Sequence, residues 1–392
     1  MKVFIIAGEV SGDKLGHAVM AGLRELVPDV TFDGVGGPLM QAQGLVSRFD
    51  MTELSLMGLA EIIPQYVHLK RRIAELAQAV IETRPDVVLT IDSPDFCLRV
   101  AKQVKSRSNI RTIHYVAPTV WAWRPGRAVK MAHFIDHVLA LFPFEPPLMQ
   151  AAGMGCDFVG HPVVTDPVAT AAQAQAFRDA SGVGNAPLIL ALPGSRKGEV
   201  TRLAGRFGAA LKLILAQKPE ARVVVPCAAP VAGLVRDMTA DWPGSPLLIA
   251  PDAVADKRAA FKAADVALAA SGTVSLELAA NGTPMVIAYD MAWLSRVIIS
   301  RMLLVDTVTL VNLVSDTRVI PEFIGAKCQP APIAAAVLAV LRNPVAQQAA
   351  MAQTMQRLGQ GAEPPGLRAA RAVVSALQRG RAPEGGASGG DI

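Results

Sequence analysis

Hydrophobic and polar positions along the chain fall into short, wholly apolar runs separated by longer stretches of helical period. The apolar runs are of strand length, and each ends in glycine, proline or small polar residues: Val3–Ala7, Val30–Val35, Asp86–Ile91, Arg111–Val116 and Phe134–Phe142. After a break at Gly160-His161-Pro162 the pattern restarts with Pro187–Leu192, Arg222–Pro226, Leu247–Ala250, Asp265–Ala269 and Met285–Ala288. Continuous apolar strands alternating with helices are the signature of parallel sheets covered on both faces. The unit Asp265–Tyr289 shows the rule most plainly. A buried strand runs into Ser271-Gly272-Thr273, a helix follows from Val274, Asn281-Gly282-Thr283-Pro284 stops it, and the next strand begins at Met285.

The alternation occurs twice, so the expected fold is α/β with two Rossmann-like domains facing across a cleft. Expected boundaries are 1–165 for the first domain, 166–343 for the second, 344–379 for helices returning to the first, and 380–392 for a disordered tail. Asp166–Pro187 reads as a polar, alanine-rich connection, and Trp293–Leu304 as a helix. Pro332–Leu341, Val345–Leu358 and Leu367–Gln378 are amphipathic helices without strands between them.

Composition narrows the function. At 392 residues the chain suits two cores, and 52% apolar residues are ample to fill them. Aromatics at 5% argue against a stacking platform for single-stranded nucleic acid. A net charge of +5 suits an anionic partner: a nucleotide, a phosphorylated substrate or an acidic membrane surface. The four cysteines lie far apart, which denies a zinc site or a disulfide framework and fits a reducing cytoplasm. No apolar span reaches 18 residues, although mean hydropathy is +0.36.

Candidate chemistry sits where strands end. Gly8–Gly16 nearly spells a Walker A, but Asp13 replaces the second glycine and Leu15 the metal-binding hydroxyl. What remains is a tight turn carrying Glu9, Ser11 and Asp13. Asp92, at the end of the third run, is placed for a general base, or else for capping the following helix in competition with Ser93 and Asp95. Trp121 and Trp123 alternate beside Arg124, Arg127 and Lys130, a surface suited to sugar or lipid; His114 is a core histidine or a site residue. In the second half, Gly194-Ser195-Arg196 offers a turn and a guanidinium fork for phosphate. The helix opening at Ser271, Gly272 and Thr273 favours an anion, and Glu277, four residues on, can accept a ribose diol. A capping-box role for Glu277 would need Ser or Thr at Val274. Leu54–Ile63 is apolar around too much of its circumference for one buried stripe, and Lys70, Arg71 and Arg72 follow it. Core helix and interfacial helix both remain open; in the second, Met57, Leu59, Ile62 and Ile63 meet lipid with those cations.

Eight blocks in register carry a resemblance: AGEVSGD (7–13), GVGGPLM (34–40), SLMGLAEI (55–62), TIDSPDF (90–96), HYVAPTVWAWR (114–124), FVGHP (158–162), LPGSR (192–196) and SGTVSLE (271–277). Together they resemble the lipid-A-disaccharide synthase family. The resemblance implies an inverting GT-B glycosyltransferase, without cofactor or metal, that joins UDP-2,3-diacylglucosamine to 2,3-diacylglucosamine 1-phosphate (lipid X). It implies a peripheral position on the cytoplasmic face of a Gram-negative inner membrane, and C-terminal segments that can be exchanged in a homodimer. Asp92 and Arg196 match residues tied to activity. Glu9 and Glu277 match the substrate and nucleotide surfaces, and Asn312 is expected with the latter. Thr119 stands where serine is expected, and Gly325 where glutamine is expected. The alternatives are a UDP-N-acetylglucosamine 2-epimerase and a non-catalytic UDP-sugar- or lipid-binding protein.

Overall fold

The structure, a computed structural model, describes residues 1–54, 62–291 and 302–381. The expected helix Trp293–Leu304 lies mostly outside these residues, as does the tail beyond Arg381. The chain forms two compact units, residues 1–162 together with the chain from Gly361, and Val163–Gln360.

In the first unit, β1 (Lys2–Ala7), α1 (Val10–Leu26), β2 (Thr31–Val35), α2 (Pro38–Ala42) and α3 (Ile62–Thr83) are followed by β3 (Val87–Ile91) and α4 (Pro94–Lys105). Then come β4 (Arg111–Tyr115), α5 (Gly126–Ala132), β5 (His137–Ala140), α6 (Pro146–Ala151) and β6 (Gly155–Phe158). The strands form one parallel sheet of six in the order β2-β1-β3-β4-β5-β6. The central strands are buried along almost their whole length, which explains why their sequences are apolar without alternation.

The second unit runs α7 (Ala171–Ala180), β7 (Leu188–Leu192), α8 (Lys197–Gln217), β8 (Arg222–Pro226), α9 (Ala232–Thr239), β9 (Leu247–Ile249) and α10 (Val254–Ala263). It continues with β10 (Val266–Ala269), α11 (Val274–Asn281), β11 (Met285–Tyr289), α12 (Leu310–Ser315), β12 (Glu322–Ile324), α13 (Pro330–Arg342) and α14 (Val345–Arg357). Its sheet, also six parallel strands, has the order β12-β11-β10-β7-β8-β9. Ile189, Phe207, Leu211, Leu268, Val286 and Ile333 belong to one buried core.

Several elements differ from the expectation. Residues 171–180, read as a connection, form α7, because alanine favours helix and Thr170 with Gln173 makes a complete capping box. The edge strand β12 was not foreseen, being only three residues long and half-buried throughout. Val345–Arg357 stays with the second unit: buried Gln347 bonds both the amide and the carbonyl of Met285, at 2.7 and 3.0 Å.

The last helix, α15 (Pro365–Arg381), lies on α1. Their contact is close because both helices carry glycine there. A Cβ on Gly22 would stand 2.9 Å from the Leu367 Cα, and one on Gly366 would stand 2.7 Å from the Ala18 carbonyl oxygen. Gly22→Ala should therefore lower stability by about 1–2 kcal/mol, despite alanine's better helix propensity, because backbone must move to admit the methyl. The same change at exposed, mid-helix Gly205, where a Cβ meets nothing within 4 Å, should raise stability by up to about 1 kcal/mol. Thermal melts of the two variants decide it by sign.

Candidate functional site

In an open parallel sheet the ligand-binding crevice forms where strand order reverses. That reversal falls between β1 and β3 in the first unit and between β7 and β10 in the second.

At the first reversal Ala7 pairs with Ile91, so the turn after β1 and the turn after β3 emerge side by side. Asp92 and Ser93 both adopt left-handed backbone, at φ 51° and 42°. Successive non-glycine residues there carry local strain, a common mark of functional turns. The Asp92 amide donates to the Tyr115 carbonyl at 3.0 Å, and the Ser11 hydroxyl donates to Asp92 Oδ2 at 3.1 Å. Asp92 is half-buried, and Glu9 and Ser11 are exposed at the mouth. The three residues are thus brought together.

Three other expected contacts belong to the framework instead. Asp13 is buried, and its carboxylate accepts amide hydrogens from Gly37, Leu39 and Met40 at 2.9–3.0 Å, so it anchors the loop after β2. His114 is buried on β4 with Nδ1 2.8 Å from the Thr90 hydroxyl; burial, with Arg127 nearby, pulls its pKa down to about 4. It is a neutral core histidine. Asn312 is buried on α12 and bonds Thr307 Oγ1, the Ile320 carbonyl and the Ile320 amide, so in this structure it ties the loops around α12 together.

Trp121, half-buried in the loop after β4, donates its indole N–H to Glu145. Exposed Arg124 lies over the Trp123 ring at 4.5 Å. Met57 and Leu59 lie outside the described residues, as do the side chains of Ile62 and Ile63. The cations behind them are largely spoken for. Arg72 pairs with Glu53 and Glu75, and Arg71 with Glu75, whereas Lys70 lies over the Tyr66 ring at 4.7 Å.

At the second reversal a cavity of about 420 Å³ opens at the ends of β7, β8 and β10. Gly194, Ser195 and Arg196 form one wall, and Ser271, Gly272, Thr273 and Glu277 the other. Gly194 (φ 124°) and Gly272 (φ 145°) take backbone conformations that disfavour any side chain. Glu199 Oε2 accepts the Ser195 and Arg196 amides at 3.1 and 3.3 Å, so the N-terminus of α8 is satisfied by its own carboxylate. The N-terminus of α11 has no side-chain cap and keeps its pull on an anion. The Arg196 side chain is 83% exposed and pairs with Glu199 Oε1 at 3.4 Å, a long, solvent-exposed contact that a phosphate could replace. Lys257, Cys227 and Phe261 also line the cavity, and Lys257 Nζ stands 3.6 Å from Glu277 Oε2. Sequence reading missed these three, since nothing local marks them. Glu199 could have been found as the N3 glutamate of a helix opening at Lys197, placed to reach back to the amides before it. A larger hollow, about 720 Å³ between α7, β9 and α10, is walled mainly by alanine and aliphatic side chains and lacks any such glycine turn.

Two parallel sheets, each with a polar turn at its strand reversal and one with a nucleotide-sized cavity, define the architecture of GT-B-like UDP-sugar enzymes. A putative UDP-N-acetylglucosamine 2-epimerase from Listeria monocytogenes shares it, with TM-score 0.63 and 14% identity over 97% of this chain and 96% of that one. UDP-GlcNAc 2-epimerase from Neisseria meningitidis, bound to UDP-GlcNAc, superposes with TM-score 0.61 and 12% identity over 97% and 100% of the two chains. At such identities the likeness is one of fold alone. Residues 3–372 match the family model described as lipid-A-disaccharide synthetase. Lipid-A-disaccharide synthase from Ruegeria pomeroyi is 64% identical over 96% of both chains, and that from Rhodospirillum centenum 45% over 96% of this chain and 95% of its own. The chain belongs to the lipid-A-disaccharide synthase family, and its activity is glycosyl transfer, not epimerisation.

The framework role of Asp13 has a direct test. Asp13→Ala orphans three amides and should cost about 3 kcal/mol or more in denaturant unfolding. Glu9→Ala, at an exposed carboxylate beside it, should leave the unfolding midpoint unchanged.

Proposed function

We propose that the first reversal binds the acceptor and supplies the base, and that the second binds UDP-2,3-diacylglucosamine. The observation that carries this reading is Asp92: a half-buried carboxylate at a strand reversal whose side chain is held by a serine hydroxyl. Asp92 takes the proton of the lipid X 6-hydroxyl as that oxygen attacks the anomeric carbon. The bond from that carbon to the diphosphate oxygen breaks, UDP leaves with the electron pair, and the configuration inverts. Ser11 keeps the carboxylate aimed. Glu9, Trp121 and Arg124 contact the acceptor.

In the second unit, Arg196 and the α11 N-terminus at Ser271, Gly272 and Thr273 stabilise the charge gathering on the diphosphate. Ser195 lies on the same wall, and Glu277 accepts the ribose hydroxyls. Positive charge can be supplied by Arg196, with Lys257 close by, so no metal ion is required in this scheme.

Both substrates carry acyl chains, which favours work at a membrane surface. No helix among the described residues is long and apolar enough to cross a membrane. The segment from Leu54 to Ile63 with Lys70 behind it supports peripheral attachment to anionic lipid on the cytoplasmic face of the inner membrane. Arg71 and Arg72 add less than their charge suggests, being paired with Glu75 and Glu53. The α1–α15 contact is made within one chain; made between two copies, it would give a dimer with exchanged C-termini.

Asp92→Asn should lower kcat by ~10²–10⁴ with UDP affinity intact. A variant keeping more than about a tenth of wild-type turnover would remove Asp92 from the role of base. Arg196→Ala should weaken UDP binding as well as rate, and Arg196→Lys should restore only part, since a point charge lacks the fork. Calorimetric titration with UDP gives the answer. At the membrane, Lys70→Gln should reduce co-sedimentation with anionic vesicles about fivefold at low salt, with the difference shrinking as salt rises.

A further inference from the structure

Glu145 precedes α6, in the turn that follows β5, and is only 2% exposed. Both carboxylate oxygens are used. Oε2 accepts the amide hydrogens of Leu141 and Phe142 at 3.0 and 2.9 Å, and Oε1 accepts the Trp121 indole N–H at 3.3 Å. Around this grip the Trp121 ring stands edge-on to Phe144, with centroids 5.4 Å apart. Phe142 and Phe144 stack at 5.4 Å, and the His161 ring lies 5.5 Å from Phe142. One side chain therefore ties together the loops that leave β4 and β5.

The loop from β4 leads back to the base. It opens at Val116 (φ 86°), whose amide donates to Leu139 on β5, directly after Tyr115, whose carbonyl accepts the Asp92 amide. It closes at Arg124 (φ 52°). The segment is thus fixed beside Asp92 at one end and by Glu145 at Trp121.

We propose that Glu145 is a positioning residue for glycosyl transfer: its carboxylate holds Trp121, and with it the Val116–Arg124 loop, in place beside Asp92 for the acceptor sugar. The proposal rests on Trp121 contacting the acceptor.

Burial pushes the Glu145 pKa up to about 7, against the pull of its three hydrogen bonds. The proton's natural seat is Oε1, which makes a single and longer bond, whereas Oε2 is held by two amides. A proton on Oε1 sets an O–H against the indole N–H, donor against donor, and lets go of Trp121 while the turn keeps its amides. The other ionisable groups nearby are the Cys156 thiol on β6, pushed up to about 12, and His161 in the loop after β6. On the Trp121 loop itself, Arg124 lies over the Trp123 ring. The grip accordingly weakens as pH falls through about 7.

Labelling with 5-fluorotryptophan reads the grip directly. The chain has four tryptophans, and Trp121→Phe assigns the resonance that matters. In wild-type protein that resonance should move between pH 6 and 8, and in Glu145→Gln it should not. The KM for lipid X should rise roughly tenfold in Glu145→Gln at pH 8, with kcat at saturating acceptor within about twofold, the split expected of lost binding geometry. Thermal melts separate this from general damage. A folded pKa above the ordinary carboxylate value means stability is full below about pH 4.5 and falls as pH rises through 7. Glu145→Gln should flatten that fall. A Trp121 resonance in Glu145→Gln that coincides with wild type at pH 8, or an acceptor KM unchanged in that variant, overturns the proposal, with Glu145→Asp read in the same way if the glutamine variant fails to fold. A wild-type resonance that stays still from pH 6 to 8 overturns only the pH dependence. A titrating resonance with an unchanged acceptor KM in Trp121→Phe would instead overturn the acceptor reading on which the proposal rests, leaving the grip itself demonstrated.

Discussion

Reversal of strand order is the constraint from which the functional geometry follows. Neighbouring strands on either side of it send their connections to opposite faces of the sheet, so the gap between their C-terminal ends is left uncovered. The chain uses this gap twice, with opposite chemistry. Between β1 and β3 it gathers Glu9 and Asp92, with Ser11 donating to the aspartate. Between β7 and β10 it gathers Arg196, an uncapped helix N-terminus and Lys257. A proton acceptor and a place for departing negative charge are the two demands of glycosyl transfer, and in the proposed scheme each has its own sheet.

Carboxylates are the recurring tool, and what aims at them separates two uses. Asp13, Glu145, Glu199 and Asp265 each accept at least one backbone amide. Glu322 does the same for Val308 and Thr309. In each case an acidic side chain finishes a turn that the sheet leaves with unsatisfied N–H groups. The Asp92 side chain is met by a hydroxyl instead, which can follow it through a change of protonation.

The difference explains how much could be seen in advance. Apolar runs without alternation, bounded by glycine, proline and small polar residues, specify covered parallel strands, so both sheets and the Ser271–Glu277 helix start were legible. Edge strand β12 was hidden because three half-buried residues carry almost no pattern. Asp13 and Asp92 look alike in a sequence, each an acid near a strand's end. Only the loop folding back from β2 turns the first into an anchor. The hydrogen bonds of His114 and Asn312 were hidden for the same reason, since their partners lie 24 and 8 residues away. Glu145 was invisible because its importance lies in an indole 24 residues earlier.

The return of α15 to α1 bears on how the chain is made. The N-terminal sheet can form as soon as β6 has emerged from the ribosome, yet the glycine-bearing face of α1 waits for residues beyond Gly361. The whole of the second unit is synthesised in between. During that interval α1 presents an uncovered, closely packing strip to the surrounding medium, a natural handle for chaperones and a hazard for self-association between nascent chains. A truncation near the end of translation would leave both sheets intact and this strip permanently open.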